Sequence, residues 1–173
     1  MYLLRRALGI SPDFRLAWTY VGYQTNALEG FLPFGILIAD DHVLMRRTLR
    51  ACLETNSDWH VCAEVANGME AIEAADDFKP DLVILDLLMP EVNGLRAGRA
   101  ISQAHPNMPV LLYTLHSFDG LDEEARKHGI RAVVHKTAGN DSLVNFVALL
   151  LNQTSTRPAK SKTRKPPKNT TDS

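Results

Sequence analysis

Asp81-Leu-Val-Ile-Leu-Asp-Leu-Leu-Met-Pro-Glu-Val-Asn-Gly94 is the stretch on which the reading of the fold turns. Leu82 to Leu85 is an apolar run of strand length with no polar alternation. Such a run suits a strand covered on both faces. It ends on an acid, Asp86, and a loop carrying Pro90 and Gly94 leads into the helix-like segment Leu95 to His105. Working outward, runs of the same kind recur at Ile36 to Ala39, Val61 to Val65, Val110 to Tyr113 and Ala132 to Val134. Helix-like segments separate or follow them at Val43 to Glu54, Gly68 to Phe78, Leu121 to His128 and Asp141 to Asn152. In the first of these, Val43, Leu44, Leu49, Cys52 and Leu53 fall on one side, leaving Arg46, Arg47 and Arg50 for solvent. Asn67-Gly68 and Lys79-Pro80 bracket one helix, and His105-Pro106 ends another.

The alternation amounts to five strand–helix units. It predicts a single α/β domain, an open five-stranded parallel sheet doubly wound with helices on both faces. In such sheets the functional crevice lies beyond the carboxyl ends of the strands, where the strand order switches. The patterned region covers about residues 34–152. Residues 1–33 mix aromatics with Gly and Pro without a sustained period and suggest no role. Residues 153–173 hold Arg157, Lys160, Lys162, Arg164, Lys165 and Lys168 and no apolar anchor, so a disordered basic tail is expected.

Bulk properties narrow the function. The 173 residues suffice for one ordinary domain, and the net charge of -1 points to neither a nucleic-acid nor a membrane surface. No apolar stretch approaches the roughly 18–20 residues that span a bilayer. Cys52 and Cys62 fit neither a redox pair nor a zinc site; buried thiols in a reducing, cytoplasmic setting are expected. The six histidines form no ligand spacing, and no phosphate-binding Gly-rich loop with Lys and Ser/Thr occurs, which argues against a nucleotide hydrolase.

The strand ends carry the chemistry. The first ends in Asp40-Asp41, the third in Asp86 and the fourth in Thr114, and Lys136 follows the fifth. Carboxylates gathered within a few ångströms repel one another, and a divalent cation relieves the repulsion. Hard oxygen ligands with room for water suit magnesium, which commonly binds beside phosphate. Asp86 would then serve as a nucleophile toward phosphorus, with Lys136 and Thr114 supplying a charge and a hydroxyl donor. The plainer alternative is that Asp40 or Asp41 merely caps the helix beginning near Val43.

Four segments taken together resemble the receiver domain of two-component response regulators. They are Ile36-Leu-Ile-Ala-Asp-Asp-His42, the stretch from Asp81 to Gly94, Tyr113-Thr114, and Val133-Val-His-Lys-Thr-Ala138. The resemblance covers about residues 34–152 and is nearest the NarL/LuxR-type class. It implies a flavodoxin-like fold and Asp86 as phosphoacceptor. It also implies magnesium held by Asp41 directly, by Asp40 mostly through water, by Asp86, and by the Leu88 backbone carbonyl. Thr114 becomes the switch hydroxyl and Lys136 the partner of the phosphoryl group, while Pro90 and Gly94 shape the loop, Gly94 where a side chain is unwelcome.

Such a module is no enzyme in the ordinary sense; it catalyses only its own phosphorylation and dephosphorylation. The implied partners are a sensor histidine kinase or a phosphotransfer protein, with a homodimer through the fourth helix, fifth strand and fifth helix as a further expectation. Regulators of the NarL/LuxR type continue into a helix-turn-helix domain. Here no room for one follows Leu151, so a stand-alone receiver is expected. Two residues depart from the family pattern: Val133 stands where an aromatic is usual, and Leu115 where a small residue is usual. They keep a second reading open, a receiver-shaped interaction module that works without phosphorylation. Nucleic-acid contact is expected only through the basic tail or a partner.

Overall fold

Residues 33–154 are described by a computed structural model. The expectations for the N-terminal extension up to residue 32, and for the basic tail from residue 155, lie outside the described residues. Within them the apolar runs form five strands: β1 (Phe34–Ala39), β2 (Trp59–Val65), β3 (Leu82–Leu85), β4 (Val110–Thr114) and β5 (Ala132–His135). Five helices alternate with them: α1 (Val43–Leu53), α2 (Gly68–Phe78), α3 (Gly94–Ala104), α4 (Leu121–Lys127) and α5 (Asn140–Thr154). A single 3₁₀ turn, Lys136–Ala138, joins β5 to α5.

All strand pairs are parallel, in the order β2-β1-β3-β4-β5. This is the doubly wound, flavodoxin-like sheet. The chain moves outward from β1 in both directions, so the switch in strand order lies between β1 and β3. Successive side chains of a strand point to opposite faces, and the core divides accordingly. Leu37, Val83, Leu85 and Leu112 pack with α2, α3 and α4. Ile36, Ile38, Ile84 and Leu111 pack with α1 and α5.

The expectation of strands covered on both faces holds for the centre of the sheet. The whole of β3 and β4 is buried, as are five of six residues of β1. At the edge it is corrected: β2 alternates between buried and half-buried residues, and only Val134 of β5 is buried. An edge strand is flanked on one side only, so helices cover its outer face incompletely.

Helix punctuation follows the local chemistry. Asn67 caps α2 by accepting the Glu70 N–H at 2.8 Å, and Glu70 reaches back to the Ala66 N–H at 3.0 Å. This is close to a reciprocal capping box. Lys79 ends the helix in the left-handed conformation, φ 45°, just before Pro80. Three side-chain expectations need correcting. Val43 and Leu44 are exposed, and Leu49 and Leu53 are the buried residues of α1, because its first turn projects past the sheet. Arg46 is not left to solvent, as described below. The cysteines are half-buried instead of fully buried; burial still pushes the Cys62 thiol up to about 12. Helix α5 also begins at Asn140 and runs to Thr154, one residue earlier and two later than its apolar pattern indicates.

Candidate functional site

Strand register assembles the site. Ala39 pairs with Leu85, and the Asp86 N–H bonds to the Ala39 carbonyl at 2.8 Å. The next residues, Asp40 and Asp86, therefore emerge side by side at the switch point. On the other side Thr114 pairs with His135, so Lys136 leaves the sheet one residue beyond Thr114. The loop after β3 is drawn tight: Gly94 donates its N–H to the Leu87 carbonyl at 2.9 Å. A Cβ at Gly94 would lie 2.1 Å from the Asp86 carbonyl oxygen, so the close approach admits only glycine.

Asp40 and Asp86 are 1% and 6% exposed, and the Lys136 ammonium bridges them. Its Nζ lies 2.6 Å from Asp40 Oδ2 and 3.0 Å from Asp86 Oδ1. Burial alone would lower the lysine pKa; hydrogen bonds and charge from Asp40 and Asp86 outweigh it and raise it. The ammonium also lies 5.8 Å from the centroid of the Tyr113 ring, a weak supporting contact. Asp40 Oδ1 accepts the His42 N–H at 2.8 Å. The helix-capping alternative is not observed, for α1 begins after His42 without a side-chain cap.

The crevice is a cavity of about 410 Å³ lined by Asp41, His42, Leu44, Met45, Asp86, Leu88, Leu115, His116 and Lys136. Asp41 is more open than its neighbour, its side chain 35% exposed, and its Oδ1 lies 2.7 Å from His42 Nδ1. Ligand atoms of Asp40, Asp41 and His42 all lie within 4.8 Å of one another. Thr114 is buried and does not line the crevice; its hydroxyl oxygen accepts the His116 N–H at 3.0 Å. The structure thus brings Asp40, Asp86 and Lys136 into contact, sets Asp41 and Leu88 on the same crevice, and turns Thr114 toward its own loop.

The donor set fits a small divalent cation. Asp40, Asp41 and Asp86 supply three carboxylates, and the Lys136 ammonium reaches two of them. Asp86 Oδ1 is buried, with the Lys136 ammonium 3.0 Å away. One ammonium shared between two buried carboxylates leaves them incompletely neutralised. A cation of the magnesium kind, taking oxygen ligands and keeping water, would complete the charge balance.

Two neighbours escape the reading of the strand ends. His42 joins the acid pair, and Arg46 donates from Nη1 to the Asp40 carbonyl at 2.6 Å. A signal for Arg46 was available: a cation in the first turns of a helix runs against the helix dipole, and α1 has no acid there to offset it.

Residues 36–148 match the family model for the response regulator receiver domain. A transcriptional regulatory protein of Bacillus subtilis, YdfI, is 33% identical over 108 residues, covering 62% of this chain and 50% of that protein. The chemotaxis protein CheY of Listeria monocytogenes is 36% identical over 101 residues, 58% of this chain and 84% of CheY. The crystal structure of a LuxR-family two-component response regulator from Aurantimonas superposes with a TM-score of 0.67 at 28% identity. That match covers 70% of this chain and 86% of the other. The chain spans about half the length of the first of these curated relatives. Among the described residues no helix is long and apolar enough to cross a membrane.

Proposed function

The chain belongs to the response regulator receiver domain family, and from that premise we propose that Asp86 accepts a phosphoryl group in a two-component relay. Receiver domains are signalling modules that work with histidine kinases or phosphotransfer proteins, and they typically bind magnesium in an acidic pocket. The observation that carries the proposal is the Lys136 bridge between Asp40 and Asp86 at the switch point. It supports a site poised to exchange one positive partner for another.

In this reading residues 34–152 are the receiver unit. Asp86 lies in line with a phosphohistidine of the kinase or phosphotransfer protein. Its carboxylate oxygen forms the new O–P bond as the N–P bond breaks, and the imidazole leaves and takes up a proton. Asp41, Asp86 and the Leu88 carbonyl would hold magnesium directly and Asp40 through water. The ion would supply positive charge for the phosphoryl oxygens. Lys136 exchanges its bond to Asp40 for one to the phosphoryl group and offsets the charge gathering there. The Thr114 hydroxyl turns from the His116 N–H toward the new oxygens, carrying the β4–α4 loop with it. The surface of α4, β5 and α5 then changes its preference for a partner or a second copy.

The test is incubation of the full chain with magnesium and a small acyl phosphate, read by intact mass. The wild type is expected to gain one phosphoryl group and Asp86→Asn none. A gain that persists in Asp86→Asn would move the acceptor elsewhere. No gain in the wild type would favour the second reading, a phosphorylation-independent interaction module. The apolar rim of Leu44, Leu88 and Leu115 around the carboxylates is the observation on that side.

A further inference from the structure

We propose that Arg46 is a positioning residue for the cation site, clamping the Asp40 carbonyl so that the Asp41 carboxylate is aimed into the crevice. The inference rests on the cation-binding reading above and extends it to a residue outside the acidic set.

Arg46 lies on α1, six residues past Asp40, with its side chain 14% exposed. Its Nη1 donates to the Asp40 carbonyl oxygen at 2.6 Å. That oxygen belongs to the peptide joining Asp40 to Asp41, so holding it restrains the peptide plane that ends at the Asp41 Cα. The rest of Asp40 is held as well. Its N–H reaches the Val65 carbonyl at 3.2 Å, Oδ1 takes the His42 N–H, and Oδ2 takes Lys136. Arg46 holds the remaining polar group of the Asp40 backbone, the oxygen of the 40–41 peptide.

The guanidinium is kept at a cost. Its Nε is buried and makes no hydrogen bond among the described residues; the nearest carboxylate oxygen, on Glu64, is 3.9 Å away. Glu64 is engaged instead by Arg50, which also pairs with Glu54 at 2.9 Å. The hydrogen bond the guanidinium does make is the one to the Asp40 carbonyl.

Charge and position predict opposite outcomes for its removal. As a cation near the site, Arg46 repels a second cation, so electrostatics alone makes a neutral variant bind magnesium more tightly. As a positioning group, its loss weakens binding, in the manner of groups that orient metal ligands.

The experiment is calorimetric titration of the unphosphorylated full chain with magnesium chloride, with folding checked by circular dichroism. Arg46→Met is expected to weaken binding about tenfold. Arg46→Lys keeps the charge but loses the planar fork, and is expected to weaken it about threefold, as an order-of-magnitude fraction of that loss. Glu64→Gln disturbs the same ion network without touching Asp40, and is expected to stay within about twofold of wild type, inside the usual scatter of an uninvolved site. Should Arg46→Met not fold, Arg46→Lys decides. Wild-type or tighter affinity in either Arg46 variant overturns the proposal, as does an equal loss in Glu64→Gln. A wild type that binds no magnesium overturns the cation-binding reading itself, which separates the two failures.

Discussion

Replacing Lys136 with methionine keeps most of the side-chain stem and deletes the charge that holds two buried carboxylates together. In the wild type the ammonium lies 2.6 Å from Asp40 and 3.0 Å from Asp86. At an effective dielectric of about 20, a unit charge pair at 3 Å is worth about 5–6 kcal/mol before desolvation is charged against it. Burying the ammonium takes back much of that. Breaking a buried pair, however, leaves unneutralised carboxylates and typically costs about 3–5 kcal/mol. Taking about 3 kcal/mol, the melting temperature of a unit this size should fall by about 10 °C. The assay is thermal unfolding followed by circular dichroism, first in EDTA and then with excess magnesium. In EDTA the variant should melt well below the wild type. With magnesium it should recover more than the wild type gains, because the ammonium no longer competes for the carboxylates. A variant that melts within about 2 °C of wild type in EDTA would refute the reasoning, and so would an equal magnesium increment in both proteins.

Gly94→Ala sets a Cβ 2.1 Å from the Asp86 carbonyl oxygen, and relief requires the loop after β3 to shift. The variant is expected to lose about 2 kcal/mol in urea unfolding and to phosphorylate Asp86 more slowly; an unchanged midpoint would mean that the loop yields freely. On the far side of the molecule, hydrogen bonds from His105 and Lys79 hold the exposed Asp76 carboxyl below its ordinary value of 3.8. A depressed carboxyl stabilises the fold above its unfolded-state pKa, and that contribution is lost as pH falls through the folded value. Melting curves of wild type and Asp76→Asn should therefore differ near neutrality and converge in acid; a gap that stays constant with pH would refute the assignment.

The parts of the fold open to direct reading are those where one side chain decides one environment. Leu82 to Leu85 and Val110 to Tyr113 are apolar throughout and lie in the middle of the sheet, buried on both faces. The alternation in β2 was harder to read, because Val61 to Val65 looks continuous until Glu64 and Cys62 are seen on the half-covered face. Within α1, periodicity identified an apolar side but not how far the sheet extends beneath it, so Val43 and Leu44 were assigned to a core that ends before them. Asp40, Asp86 and Lys136 were legible as a group because each directly follows a strand. The partner of Arg46 was not, since it is a main-chain carbonyl that carries no residue identity, and only a cation set against the helix dipole hinted at one.

The sequence by itself determined the succession of strands and helices and the identity of the polar residue at each strand end, because both are set by side-chain chemistry and short-range period. Tertiary structure alone decided the strand order and the pairing of Ala39 with Leu85. Those long-range contacts bring residues 40, 86 and 136 together, and they depend on how the helices share two faces of one sheet, which no local pattern encodes. It also decided that Lys136 bridges the two acids and that Thr114 faces the His116 N–H. Both are outcomes of competition among several partners within reach, and that competition exists only once the chain has folded.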